Sequence, residues 1–97
     1  MNVSEEQTMI DRLNAMHEFP GDFIFKVIGE NEPTFVSRVV QAAVNAIGES
    51  GGVDVDTRES GKGRHVAVTL SARVQSPQMV LEVYGLLKAV QGVRFML

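Results

Sequence analysis

The sequence predicts a single α+β domain with four strands and two long helices. Apolar side chains recur at every second position in the strand segments and at helical spacing in the helical ones, and glycine or proline separates the segments. The chain has 97 residues, of which 44% are hydrophobic and 22% charged, as in an ordinary globular domain. We therefore expect it to fold by itself around one core.

The N-terminal residues predict a short amphipathic helix in front of the domain. Ser4 and Gln7 have the spacing of a capping box, in which each side chain satisfies a free backbone N–H at a helix start. Apolar residues follow at helical spacing as far as Met16, and Pro20 disfavours the helical conformation at the residue before it. We assign residues 1–12 to an N-terminal extension that starts this helix and residues 13–97 to the domain.

The rest of the chain alternates between strands and helices. The strand segments are β-branched, aromatic or strictly alternating, whereas each helical segment has one apolar stripe. Gly48 lies at an expected helix end, and Ser76 with Pro77 supplies an N-cap and a first-turn proline. We predict a strand at 23–28 closed by Gly29, a helix at 35–47, a strand at 53–58, a glycine turn at 61–63, a strand at 66–74, a helix with its inner stripe from Val80 to Val90, and a strand at 93–97.

This order of elements is the split βαβ arrangement of the ferredoxin-like fold. Right-handed crossovers place both long helices on one face of a four-stranded antiparallel sheet, with the first and third strands in its centre. We expect the spatial strand order 4-1-3-2.

The alternation also predicts which side chains line the sheet face without helices. If Phe23, Phe25 and Val27 face the helices, the side chains between them point away, and their apolar centre favours cover by the N-terminal segment or by a second copy of the sheet. Either the N-terminal segment or a homodimer is therefore expected to cover this face, and we predict a non-enzymatic regulatory or interaction module that binds a partner protein or a small metabolite. The candidate interface residues are Ile24, Lys26, Ile28, Ala67, Thr69 and Met96.

Two loops offer candidate ligand contacts. At the hairpin, Lys62, Arg64 and His65 beside two glycines present cations to a phosphate or carboxylate, although the glycines are needed to reverse the chain in any case. Gly29 and Asn31 belong to the loop before the first long helix, whose N-terminus attracts anions. ACT domains, regulatory domains of this fold, bind amino acids near that loop. A plain polar connector is the simpler interpretation.

The sequence gives little support to catalytic, metal or nucleic-acid function. Cysteine is absent, so thiolate chemistry is excluded, and neither His17 nor His65 forms a recognisable nucleophile or metal motif. Asp54 and Asp56 project about 7 Å apart on one strand face without an evident third ligand. We predict no enzyme activity, no cofactor and no metal, and the alternative is an enzyme or accessory protein of acyl transfer in which Lys62, Arg64 and His65 handle an anionic group.

Charge and aromatic content also disfavour RNA binding. The net charge is −3, and the outward positions on the central strands, such as Lys26 and Thr69, carry no ring to stack on a base. The chain shows no secretory signal and no apolar run long enough to cross a membrane, so we expect a cytoplasmic location.

Several segments together resemble the bacterial YbeD-like family, also called UPF0250 or DUF493. They are Glu18-Phe19-Pro20, Lys26-Val27-Ile28-Gly29, the turn Ser60–Gly63 and the closing Val93–Leu97. The resemblance implies a small ferredoxin-like protein, similar in shape to ACT domains, with no assigned catalytic or ligand residues. Because members are often encoded beside a lipoate-attachment enzyme, it also suggests a link to lipoate metabolism.

Overall fold

The computed structural model describes residues 2–48 and 52–97. These residues form three helices and four strands, in the order that the sequence predicts. The elements are α1 (Val3–Met16), β1 (Gly21–Glu30), α2 (Phe35–Ile47), β2 (Val53–Ser60), β3 (His65–Val74), α3 (Pro77–Lys88) and β4 (Val93–Met96).

The strands form one antiparallel sheet in the order β2-β3-β1-β4. This is the predicted order read from the other edge, with β1 and β3 in the centre. α2 and α3 pack side by side and cover one face of the sheet, because both crossovers have the same hand. The ferredoxin-like prediction is confirmed.

The core lies between this covered face and the two helices. Phe25 and Val27 of β1, together with Val68 and Leu70 of β3, are fully buried against the apolar stripes of α2 and α3. Each such side chain contributes about 1.5–3 kcal/mol by leaving water. The alternation of buried and less buried residues runs the length of β3, as the period-two pattern requires.

The N-cap of α1 differs from the predicted capping box. Asn2 caps the helix, because its side-chain oxygen accepts from the Glu5 N–H at 2.8 Å, while Ser4 lies inside the first turn. Asparagine is as good a cap as serine, and Glu5 stands three residues after Asn2 just as Gln7 does after Ser4. The local spacing is therefore compatible with two starts, and the earlier one adds Val3 and Ser4 to the N-terminus of the helix.

α1 extends the layer of helices and does not cross the sheet. It packs against α3, with Ile10 buried and Leu13 against the core. At its C-cap, the ring centroid of His17 lies 4.9 Å from that of Phe23. Tyr84 of α3 packs edge-on against Phe25 near this contact, and burial raises the pKa of Tyr84. The sheet face opposite α2 and α3 is therefore left open by α1.

Gly29 does not close β1, contrary to the prediction. It lies inside the strand, opposite Val66 on β3 and Val93 on β4. A Cβ atom there would stand 2.3 Å from Cζ of Phe35 and 2.6 Å from the Gly92 carbonyl oxygen. The missing side chain thus makes room for the Phe35 ring, and the strand continues to Glu30.

No helix within the described residues is both long enough and apolar enough to span a membrane.

Candidate functional site: the open face of the sheet

The sheet side that points away from α2 and α3 is called here the open face. On β1, Phe23, Phe25 and Val27 are buried, whereas Ile24 between them is 64% exposed. The same alternation on β3 leaves Ala67 and Thr69 half-buried between fully covered neighbours. Five of the six residues predicted for the interface, all but Met96, lie on this face.

The centre of the open face is an apolar patch. Ile28 lies directly opposite Ala67 on one side and Phe95 on the other, and Ile24 lies four residues away on β1, with Lys26 between them on the same face. Phe95 is 64% exposed. We use the term apolar patch for Ile24, Ile28, Ala67 and Phe95.

The placement of Met96 on the open face was wrong. Met96 pairs with Val27 and packs against the core, while Phe95 pairs with Ile28 and points outward. The pairing of β1 with β4 shifts between Ile28 and Gly29, and such an irregularity breaks the period of two. Phe95 is thus the residue that sequence reasoning missed, and no signal in a five-residue terminal strand reveals the shift.

Charged side chains lie around the apolar patch, and Lys26 lies within it, in balanced numbers of acids and bases. Arg94 is ion-paired with Glu30, and Asp22 lies directly opposite Arg73. Among the described residues, the open face has four acids and four bases, so its formal charge is zero, whereas the chain carries −3. The acids are Asp22, Glu30, Asp54 and Asp56, and the bases are Lys26, Arg58, Arg73 and Arg94.

The hairpin tip, residues 61–64, is tied to the loop that follows β1. Asn31 donates its backbone N–H to the Arg64 carbonyl at 3.1 Å and its side-chain amide to the Gly63 carbonyl at 2.8 Å. The same amide also reaches Oε1 of Glu59 at 3.2 Å. The two predicted ligand loops are therefore brought together by Asn31.

The backbone of the tip is largely committed to the turn itself. The N–H of Gly63 donates to the Ser60 carbonyl and that of Arg64 to the Gly61 carbonyl. Lys62 has a φ of 60°, in the left-handed region between two positive-φ glycines. Lys62 and Arg64 are exposed and His65 is half-buried, so cations rather than free N–H groups are what the tip offers a ligand.

The loop before α2 is organised by Arg38. Its guanidinium bonds Glu32 at 3.0 Å and the Gln91 carbonyl at 3.1 Å, and it lies 5.9 Å from the Phe35 ring centroid. Glu30, at the end of β1, is ion-paired with Arg94, so Glu30 and Glu32 each already face an arginine. Gly29, the other residue predicted to contact a ligand here, is buried below Phe35.

The described residues contain no group of three or more His, Asp or Glu side chains that could hold a metal ion. Asp54 and Asp56 lie on the open side of the edge strand β2, opposite Ser71 and Thr69. A shallow depression at this end of the open face is bordered by Asp22, Asp54 and Arg73. The sheet forms the floor of this depression, and the side away from the sheet is open to solvent.

A sequence-family model described as a protein of unknown function, DUF493, matches residues 14–97. The chain belongs to the DUF493 family. Curated relatives named UPF0250 protein include those of Shewanella halifaxensis, 31% identical over 89% of this chain and 97% of the relative, and Shewanella piezotolerans, 33% identical over the same shares. These bacterial relatives agree with the resemblance that the sequence motifs indicate, and their name assigns no enzymatic activity.

Two solved structures share the fold of this DUF493 protein. The solution structure of HP0495 from H. pylori has a TM-score of 0.71 at 13% identity, covering 84% of this chain and 86% of that one. The ACT domain of a GTP pyrophosphokinase from Chlorobium tepidum has a TM-score of 0.51 at 16% identity, covering 79% and 97%. At these identities the likeness concerns the fold, which is ACT-like.

Proposed function

We propose that the protein is a non-enzymatic interaction module whose binding surface is the open face of the sheet. The observation that carries the proposal is that Ile28, Ala67 and Phe95 form one apolar row across the sheet, with Ile24 exposed beyond Lys26 on the same face, which α1 does not cover. Contiguous apolar side chains within a charged rim are typical of protein-binding surfaces.

A protein partner that covers the apolar patch would gain free energy by removing it from water. Burial of apolar surface gains about 25 cal/mol per Å². The exposed side chains of Phe95 and Ile24 supply much of this surface, and they lose little conformational freedom on binding. β1 holds Ile24 in place because the opposite face of this strand is packed in the core, and Phe95 is held by the pairing of β4 with β1 and by the packing of Val93 and Met96 against the core. A partner would therefore meet a preformed surface, which lowers the cost of binding.

The arrangement of polar groups supports binding rather than chemistry. Two acids of the open face stand beside bases, Asp22 opposite Arg73 and Glu30 in its ion pair with Arg94, and the charged groups are spread over an exposed sheet without a cleft that excludes water. General acid–base catalysis works best in a closed site with a positioned substrate. A regulatory role through binding, as fold likeness to an ACT domain suggests, is the version we favour.

Site-specific photo-crosslinking in cells that produce the protein tests this proposal. The photoreactive residue p-benzoylphenylalanine replaces Ile24 on the open face or, as a matched control, Leu86, an exposed apolar residue of α3. We expect a discrete protein adduct from position 24 and none from position 86. Equal adducts at both positions, or none at position 24, would contradict an interaction module that uses this face.

A second candidate function is binding of a small anionic metabolite at the hairpin tip. It is favoured by the contact between the two loops, since Asn31 places the residues around Arg64 beside the start of α2. The cations Lys62 and Arg64 would supply the attraction for a carboxylate or phosphate. The proposed link to lipoate metabolism would enter here, through the carboxylate of lipoate.

A titration followed by amide NMR shifts tests the second candidate. Inorganic phosphate and free lipoate are added separately to the wild type, to Lys62→Ala/Arg64→Ala and to the control Lys88→Ala. Saturable shifts confined to residues 61–65 and 31, lost only in the double variant, would support it. Linear shifts, or shifts that all three proteins share, would rule it out.

A further inference from the structure

We propose that the partner on the open face is a second copy of this chain, stacked face to face about a twofold axis that crosses the strands between Ile28 and Lys26. This inference rests on the proposed function, since it names the occupant of the same surface. Its basis is the order of charged and apolar residues along two neighbouring rows of the sheet.

The open face is organised in rows that cross the strands. Residues directly opposite one another share a row, and the next row on the same face lies two residues, or about 7 Å, further along each strand. Leu97 belongs beside Lys26, because its N–H donates to the Lys26 carbonyl at 2.9 Å. The first row contains Arg58, Ile28 and Phe95, and the second contains Asp56, Lys26 and Leu97.

A twofold axis between these rows lays the first row of each copy on the second row of the other. Arg58 then meets Asp56 of the other copy, and symmetry repeats the pair. Phe95 meets Leu97 of the other copy, and Leu97 is itself 68% exposed. The aliphatic part of Lys26 packs over Ile28 while its ammonium reaches the rim.

The charge pattern disfavours three alternative positions of the axis. An axis through the second row would place Lys26 on Lys26 and Asp56 on Asp56, and an axis one step further along would bring Asp56 against Asp54. Like charges that face each other across an interface cost several kcal/mol. A twofold axis that runs parallel to β1 and directly over it would place Lys26 of one copy on Lys26 of the other.

The net charge and the size of the face suit self-association. Because the face is formally neutral, it adds no net charge of its own to the repulsion between two copies that each carry −3. The four strands contain 10, 8, 10 and 4 residues, and at about 3.3 Å per residue and about 4.8 Å between strands they present roughly 500 Å² per copy, so a dimer buries roughly 1,000 Å². That value is at the threshold of about 1,000 Å² for a specific interface, and we expect a dimer that dissociates on dilution.

The test is sedimentation velocity of the full chain between about 1 μM and about 1 mM, a range suited to an interface of this size. The wild type should show concentration-dependent dimer, and Ile28→Glu should remain monomeric. Leu86→Glu, an equivalent change on α3, should behave as the wild type. If circular dichroism shows that Ile28→Glu is unfolded, Phe95→Ser at the exposed edge strand takes its place.

Charge reversal tests the position of the axis. Asp56→Arg alone and Arg58→Asp alone should each raise the dimer dissociation constant at least about tenfold, because each brings like charges together at two symmetric points. The double variant Asp56→Arg/Arg58→Asp should recover the affinity of the wild type. Failure of this recovery would overturn the proposed stacking.

Two further outcomes separate this inference from the function on which it rests. A strict monomer at about 1 mM whose position 24 still crosslinks to a different protein would overturn the homodimer and leave the interaction module intact. A dimer that responds to Asp56→Arg but not to Ile28→Glu would instead be joined through the edge of β2. That result also overturns the face-to-face arrangement.

Discussion

On β1, Phe25 lies on the face covered by α2 and α3 and is fully buried, whereas its neighbour Ile24 lies on the open face and is 64% exposed. Both are large apolar residues in the same strand, one peptide bond apart. The covered face uses its side chains to hold the domain together, and the open face keeps similar side chains in contact with water. The contrast shows that Ile24 is an apolar side chain that lies outside the core of one copy.

The sharpest test of this contrast is a pair of alanine substitutions. Phe25→Ala should cost about 3–5 kcal/mol of unfolding free energy, because it opens a cavity in the core, while Ile24→Ala should change it by less than about 0.5 kcal/mol. Urea unfolding followed by circular dichroism measures both. A Phe25→Ala chain that fails to fold also meets the expectation if Ile24→Ala folds. Comparable losses for the two variants would remove the distinction between the faces.

A second pair of substitutions compares Gly29 of β1, which is buried, with Gly85 of α3, which is exposed. Gly29→Ala should cost about 1–3 kcal/mol, since the new methyl group collides with the Phe35 ring and the Gly92 carbonyl. Gly85→Ala in α3 meets nothing within 4 Å and should stabilise the protein by up to about 1 kcal/mol, through higher helix propensity. Thermal unfolding of both variants measures the difference. A stabilising Gly29→Ala would mean that Phe35 does not pack as described.

The smallest effect is a pH dependence from Tyr84, next to Phe25 on the covered side. Burial raises the pKa of Tyr84 above its ordinary value of 10.0, so the native state holds the phenolic proton more tightly than the unfolded chain. The wild-type free energy of unfolding should therefore fall as pH rises through that value and then level off above the native pKa.

Tyr84→Phe should lack this component, and the difference between the two proteins in urea unfolding between about pH 8 and about pH 11 isolates it. The control for other groups is the variant itself, since lysines and arginines titrate alike in both. Parallel curves for the two proteins would show that Tyr84 is not buried enough to matter.

Most of the fold was predictable because its signals are local. The stripe from Phe35 to Ile47 and the cap at Ser76 each lie within a few residues, and the structure reproduces both. Two local predictions failed. The capping box predicted at Ser4 was wrong, because Asn2, an equally good N-cap, lies two residues earlier. The strand end predicted at Gly29 was wrong, because the absence of a side chain there makes room for Phe35 of another element.

The candidate site was predictable only in outline. The alternation of apolar and polar residues correctly predicted the outward positions on β1 and β3, including Ile24 and Ala67. The same alternation put Met96 on the wrong face, because the register shift opposite Ile28 depends on how β4 pairs with β1. The role of Asn31 was also hidden, because its partners Gly63 and Arg64 lie more than thirty residues away along the chain.

The amino-acid sequence by itself determined the order of elements, the strand order and the covered face, because hydrophobic periodicity and turn residues act over a few neighbouring positions. Only the tertiary structure decided that α1 lies on α3, that Phe95 replaces Met96 on the open face and that Asn31 joins two loops. Those features depend on side chains that meet across elements, where the geometry of close packing selects among arrangements that the local pattern allows equally.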